Sequence, residues 1–338
     1  MRSLLFILAF AAILPLALCQ PTSVRIAWYN LENLFDCKDD SLKDDQEFLP
    51  QGSYRWTPKR YWKKLDNISR VIAAMAGQEG SWPMAIGLCE VENDSCLRDL
   101  TRRSPLRIAR YAYIHEEGPD VRGVDVALLY DSLQYKVLGH KAIRVPSAEH
   151  GLRPTRDILH VWGICPALPD TLHLIAVHLP SRAGSGRQGQ RHRKLAMQTL
   201  VELIDGLAGK SVLLMGDFNA EPRDAIFRHL EGRMQSLIPQ GRRELRKAQG
   251  TYVFRGQWGF LDHIFVSPRL APSTPGKASV GRFPFLLNER GAPWRTYQGP
   301  MYQGGFSDHL PLWVDIEDPP KSSDPPKSSL KGRLGCLQ

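Results

Sequence analysis

One local pattern recurs along the chain: a short apolar run that stops at a cluster of carboxylate, amide or imidazole side chains. Residues 24–29 (VRIAWY) run into Asn30-Leu31-Glu32-Asn33, and residues 83–89 into Glu90-Val91-Glu92-Asn93. Residues 172–177 run into His178-Leu179-Pro180, and residues 211–215 (SVLLM) into Gly216-Asp217-Phe218-Asn219. Leu261-Asp262-His263 opens a further run, and Ser307-Asp308-His309 leads into the last, 310–316. Apolar runs of this length, bounded by Gly and Pro, are buried strands. Side chains at one end of neighbouring strands converge, so the chain has to build a sheet with a polar rim. Singly, each cluster has a bland explanation: an Asx turn, a satisfied core histidine or a salt bridge. Six such clusters beside apolar runs are hard to assign to turns alone, because an ionised group at a buried strand end is costly unless paired or bound to a cation.

Alternation of side chains along extended backbone puts Asp217 and Asn219 on one face, and likewise Asn30 and Glu32. Further strands are expected at 124–130, 135–145 and 158–164. Asp125, inside the first of these, is expected to pair with an arginine. Two stretches carry apolar residues at helical spacing: 61–75, with a basic opposite face, and 195–207. Residues 183–193 between strand and helix read as a glycine-rich basic loop, and 276–302 as a long irregular one. Long loops of that kind are often functional.

The ends differ from the middle. Arg2 followed by an apolar run from Leu4 to Leu18, closing on Ala17-Leu18-Cys19, has the form of a signal peptide over residues 1–19. Lipid attachment at Cys19 is the alternative, and only that would imply a membrane. The expected destination is therefore periplasmic or extracellular. In such an oxidising compartment Cys89 and Cys96 are close enough in sequence to close a small loop. Residues 319–338 hold a repeated Asp-Pro-Pro-Lys-Ser-Ser tract that cannot bury a core and reads as a tail. Residues 20–318 then form one domain. Its basic surplus (+9 over the whole chain) favours a polyanionic partner.

Taken in order, Asn30-Leu31-Glu32, Cys89-Glu90-Val91, His178-Leu179-Pro180, Gly216-Asp217-Phe218-Asn219, Leu261-Asp262-His263 and Ser307-Asp308-His309-Leu310-Pro311 resemble the motif set of the endonuclease/exonuclease/phosphatase superfamily. Gly-Asp-Phe-Asn and Ser-Asp-His-x-Pro are its most specific elements. The resemblance implies an α/β fold, a four-layer sandwich of two mixed β-sheets packed face to face with helices outside. It implies hydrolysis of a phosphoester by in-line attack of water, assisted by Mg²⁺, with Mn²⁺ or Ca²⁺ as alternatives. Carried over residue by residue, Glu90 is the principal metal ligand, with Asn30, Glu32 and Asp308 around it. His309 is the general base, oriented by Asp262. His178 contacts a phosphate oxygen, Asp217 orients water or protonates the leaving oxygen, and Asn219 holds the phosphoryl oxygen.

The substrate is read from charge and rings. Arg122, Arg182 and Arg191 near the catalytic strands, and Tyr297 in the long loop, are the expected substrate contacts, because arginines bind phosphate and aromatic rings stack on bases. The leading expectation is a nuclease or phosphodiesterase with nucleic acid or another phosphoester as partner and no stable protein partner. A phosphatase or phospholipase on a phosphoinositide, sphingomyelin or nucleotide is the alternative. A catalytically silent binding module is a third, opposed by the intact motif set.

Overall fold

The computed structural model describes residues 23–76, 81–181, 186–241, 243, 245 and 250–317. The expected signal peptide, the tail and Arg182 lie outside them. The first sheet is formed by β1 (Ser23–Leu34), β2 (Ala85–Val91), β3 (Ala112–His115), β4 (Asp125–Tyr130), β13 (Ser279–Val280) and β16 (Leu312–Glu317). Its order is β13-β16-β1-β2-β4-β3. The second contains β5 (Lys136–Ile143), β6 (Ile158–Ile164), β7 (Thr171–His178), β8 (Ser211–Asp217), β9 (Gln235–Ser236) and β12 (Asp262–Val266), in the order β5-β6-β7-β8-β12-β9. Two short hairpins stand apart: β10 (Tyr252–Phe254) with β11 (Gln257–Gly259), and β14 (Tyr297–Gln298) with β15 (Met301–Tyr302).

The strands alternate as the pleat demands. In β8, Leu213 and Met215 face the other sheet while Val212 and Leu214 face outward. In β1, Val24, Ile26 and Trp28 meet them across the interface, and Ala27 and Tyr29 face the opposite side. Helix α1 (Pro58–Ala74) covers the outside of the first sheet with Leu65, Ile68, Val71 and Ile72. Helix α3 (Gly186–Gly206), which follows the short α2 (Asp94–Arg98), covers the second with Leu195, Ala196, Leu200 and Ile204. The result is four layers, helix on sheet on sheet on helix. Each fully buried Leu, Ile or Phe adds roughly 1.5–3 kcal/mol.

Several expectations need correction. Helix α3 starts at Gly186, so most of the stretch read as a basic loop is its first turns. Arginines at 187, 191 and 193 had hidden an amphipathic face that begins only at Leu195. The face of α1 read as basic contains Lys64, which is 1% exposed. Among the described residues Asp125 meets no arginine. Its Oδ2 accepts the Gly118 N–H at 3.0 Å and lies 3.8 Å from His115 Nε2. Cys37, Cys89, Cys96 and Cys165 are all free, and Cys96 Sγ donates to Glu92 Oε2 instead of bonding Cys89.

Candidate active site

Strand register assembles the polar rim. β7 runs parallel to β8 with His178 opposite Asp217, and β12 runs antiparallel to β8 with Asp262 opposite the same Asp217. His178, Asp217 and Asp262 therefore stand side by side on the inter-sheet face, continuing the apolar rows that end at Ala176, Met215 and Ile264. β1 supplies Asn30 from the facing sheet, two positions beyond Trp28. Gly216 is required by this closeness: a Cβ there would lie 2.3 Å from Val177 Cγ2 and 2.4 Å from the Val177 carbonyl oxygen.

Extended geometry fails at the strand tips. Glu32, Asn33, Glu90 and Asn219 have φ of 53°, 59°, 61° and 48°. Left-handed backbone at a residue with a Cβ costs roughly 1–2 kcal/mol, and such positions gather at functional sites. Here it overturns the simple alternation. Asn219 turns back so that its N–H reaches Asp217 Oδ1 at 2.9 Å and its Nδ2 donates to the Leu179 carbonyl at 3.0 Å. The Asx-turn reading of this stretch is thus true of its backbone. Glu32 leaves the face of Asn30: its carboxylate accepts the Thr296 N–H at 2.5 Å and the Tyr297 N–H at 3.4 Å. Burial and the Asp308 charge push Glu32 up to about 7.

Asp262 and His309 form the tightest unit. Asp262 Oδ2 is 2.7 Å from His309 Nδ1 and accepts Thr251 Oγ1 at 2.6 Å, while Oδ1 accepts the Trp28 indole N–H at 2.8 Å. Burial raises the Asp262 carboxyl, but His309 and these donors outweigh it and hold it below the usual carboxylate range. Burial lowers His309, and Asp262 with Asp217 and Asp308 pushes it well above the ordinary imidazole value. The ring also packs against Tyr252, 4.9 Å between centroids.

The other half is acidic. Asn30 Nδ2 lies 3.1 Å from Asp217 Oδ2 and 3.3 Å from Glu90 Oε1, so two carboxylates converge on one amide nitrogen. Glu90 Oε2 accepts the Asn33 N–H at 2.9 Å. His178 Nε2 sits 3.8 Å from both Glu90 Oε1 and Asp217 Oδ2, and its buried Nδ1 has no hydrogen-bond partner among the described residues. Burial, reinforced by Arg156, Arg122 and His309, pushes His178 well below the ordinary value, so it is neutral and does not compensate the pair. Asp217, 1% exposed, is pushed up to about 7 by burial, with Asp262 and Glu90 adding to it against the pull of His309. Asp217 Oδ2 faces the charged His309 at 3.8 Å, whereas Glu90 Oε1 has only the Asn30 amide and neutral His178 near it. A hard carboxylate oxygen of this kind fits a divalent cation such as Mg²⁺, and Glu90 is the side chain that would hold it. Asp308, 4.0 Å from His309 Nε2, is bound instead by Arg295 at 2.6 Å.

The expected substrate contacts divide. Arg122 is exposed on the loop beside His178, and Arg191 is exposed on α3. Tyr297 is a core residue: its hydroxyl donates to the Tyr54 carbonyl and its ring packs on Tyr54 and Tyr302, which removes it as a stacking platform. Three further residues belong to the site, of which Arg295 alone lies in a stretch the sequence marked, the long loop 276–302. Arg156 is buried and paired with Asp120 at 2.6 Å. Arg295 bridges toward Asp308 and Glu32. Lys64 donates to Thr296 Oγ1 and to the Phe306 carbonyl, both at 2.6 Å, beneath the rim. None sits in a strand-end motif, which is the signal that marked the others.

A buried Asp–His couple thus faces convergent carboxylates at one end of two stacked mixed sheets. The chain belongs to the Endonuclease/Exonuclease/phosphatase family, which it matches over residues 25–318. Similar solved structures include an endonuclease/exonuclease/phosphatase family protein from Bacteroides thetaiotaomicron, at 17% identity and TM-score 0.57, over 89% of this chain and 100% of that one. D. rerio TDP2 complexed with single-strand DNA product follows at 16% and 0.54, over 88% and 99%. A mannosyl-6-phosphatase from B. thetaiotaomicron stands at 16% and 0.54, over 86% and 98%. At these identities the likeness is one of fold. A comparison with curated protein sequences returned no match.

Proposed function

We propose that the protein is a divalent-metal-dependent phosphodiesterase acting on nucleic acid. The observation that carries the chemistry is the His309–Asp262 couple at 2.7 Å, with His309 Nε2 facing Asp217 Oδ2 at 3.8 Å. A cation held at Glu90 would supply charge neutralisation of the phosphate and polarisation of its oxygens. The protein does the rest. Asp262 locks the His309 tautomer and keeps the ring charged, so Nε2–H presents a fixed positive donor to a phosphoryl oxygen. Asp217, near neutrality in its pKa, takes the proton of the attacking water. The sequence assigned the base role to His309, and its raised pKa favours the exchange with Asp217. One amide hydrogen of Asn219 is committed to Leu179, and the second serves the phosphoryl group. As the water oxygen bonds phosphorus, the P–O bond to the leaving oxygen breaks and that oxygen takes a proton from solvent, with no covalent intermediate.

The nucleic-acid reading is supported by a groove of about 980 Å³ that opens beside Asp308. Arg255, Arg290 and Arg295 line it together with Trp258 and Trp294, the last 39% exposed. Guanidinium groups bind phosphates and exposed rings stack on bases. The test is a hydrolysis panel with Mg²⁺ and with chelator, on single- and double-stranded DNA, RNA, bis-p-nitrophenyl phosphate, inositol phosphates and sphingomyelin. Metal-dependent cleavage of nucleic acid supports the reading. A folded, Mg²⁺-loaded sample that cleaves only phosphomonoesters or lipids overturns it.

A further inference from the structure

The loop between β3 and β4 encloses a second group of donors, away from the strand-end rim. His115 closes β3, Asp125 opens β4, and Glu117 follows in the loop. One ligand atom from each of the three lies within 4.8 Å of the other two. The His115 side chain is 5% exposed, and its Nε2 is a buried nitrogen with no hydrogen-bond partner among the described residues. That nitrogen lies 3.8 Å from Asp125 Oδ2, and the Asp125 side chain is 3% exposed. A buried, unpartnered imidazole nitrogen is expensive, so its lone pair or proton has to be used by something. Lys43 accounts for part of the charge. Its Nζ lies 2.9 Å from Glu117 Oε1 and donates to the Gly118 carbonyl at 2.8 Å. Two carboxylates against one ammonium still leave one negative charge, one free glutamate oxygen and the histidine nitrogen.

We infer that His115, Glu117 and Asp125 form a second metal site, one that takes a borderline divalent cation of the Zn²⁺ class. One imidazole and two carboxylates at this spacing suit a small tetrahedral ion, with water in the fourth position. Mg²⁺ demands octahedral oxygen ligands and is disfavoured here. The site is distinct in chemistry from the carboxylate oxygens of Glu90 at the rim. The backbone is already shaped to it: at Gly118 an added Cβ would stand 2.2 Å from Asp125 Oδ1, so only glycine lets the loop close over this carboxylate. The consequence reaches the catalytic rim. The same loop carries Asp120, which pairs with buried Arg156, and exposed Arg122, and both arginines lie near enough to His178 to bear on its charge. A cation under the loop fixes the basic wall of the active site.

The test counts metal on purified full-length protein by equilibrium dialysis against Zn²⁺ and elemental analysis. The His309→Ala variant is the background, so that zinc drawn to the catalytic imidazole is removed. Adding His115→Gln is expected to lower the zinc content by one equivalent per chain. Adding Glu117→Gln instead, at a half-exposed position that tolerates the change, is expected to weaken binding at least tenfold. Co²⁺ substitution should give a visible d–d band that His115→Gln abolishes. Zinc content and Co²⁺ spectra unchanged by both substitutions, in variants with native circular dichroism, would overturn the assignment. So would a His309→Ala protein that binds no zinc.

Discussion

Replacing Asp217 with asparagine separates what the site costs from what it does. The carboxyl is 1% exposed and is pushed up from 3.8 to about 7, chiefly by burial. A rise of about 3 units, at about 1.4 kcal/mol each, is about 4 kcal/mol of folding free energy. The sign follows from proton binding: the folded state holds the proton more tightly. Asp217 therefore contributes stability that is complete below 3.8 and is lost as pH rises through about 7. An amide cannot ionise and escapes that loss. It gives part of the gain back, because its Oδ1 replaces only one of the two acceptors now serving the Asn219 N–H and Asn30 Nδ2. Allowing half for this leaves about 2 kcal/mol, or about 3 °C in Tm for a domain spanning residues 25–318. The assay is scanning calorimetry of both proteins in chelator at pH 5 and pH 8, with turnover measured alongside. The variant should melt above the parent at pH 8, the gap should shrink toward pH 5, and hydrolysis should be lost. A gap that is absent, reversed or independent of pH refutes the reasoning.

Other outcomes follow from the same geometry. Glu90→Gln should reduce Mg²⁺ affinity by about 10–100-fold, read by calorimetric titration, and should remove the rise in Tm that Mg²⁺ gives the parent. The rate should fall on the acid side as Asp217 takes up its proton, at or below about 7, and on the alkaline side, well above the ordinary imidazole range, as His309 loses its own. Asp262→Asn should move the alkaline limb downward in a pH–rate profile, since it removes the charge that holds the His309 proton. Gly216→Ala should cost about 1–3 kcal/mol or more in a denaturant melt, because the new methyl meets Val177 backbone as well as side chain. Arg290→Glu with Trp294→Ala should slow cleavage of a nucleic-acid polymer at least tenfold while leaving bis-p-nitrophenyl phosphate hydrolysis unchanged.

The sandwich was legible because burial writes itself into period and length. Runs such as residues 211–215 have one physical use, and the polar residue that closes each run marked the rim. The placement of Glu32 and Asn219 was not legible, since left-handed backbone at a non-glycine residue depends on what surrounds it. Tyr297 looked like an exposed ring because its loop is polar around it. Only the tertiary contacts with Tyr54 and Tyr302 show it as core. Lys64 and Arg156 escaped for the converse reason. A charged residue on an apparently solvated face gives no sequence sign that it is buried, and its partners, Phe306 and Thr296 for one and Asp120 for the other, are remote or lie in loops.

The indole of Trp28 crosses from one sheet to hold Asp262 on the other. Asn30 makes a second crossing to Asp217. Neither half of the molecule is competent by itself: a chain with only the second sheet formed would carry Asp217, Asp262 and His178 without Asn30, Glu90 or His309. The polar rim is thus a property of the docked pair, complete only when both sheets are in place. Trp28 stands at that seam, so the part of the refolding fluorescence change that Trp28→Phe removes from a chain of eight tryptophans should follow docking of the two sheets.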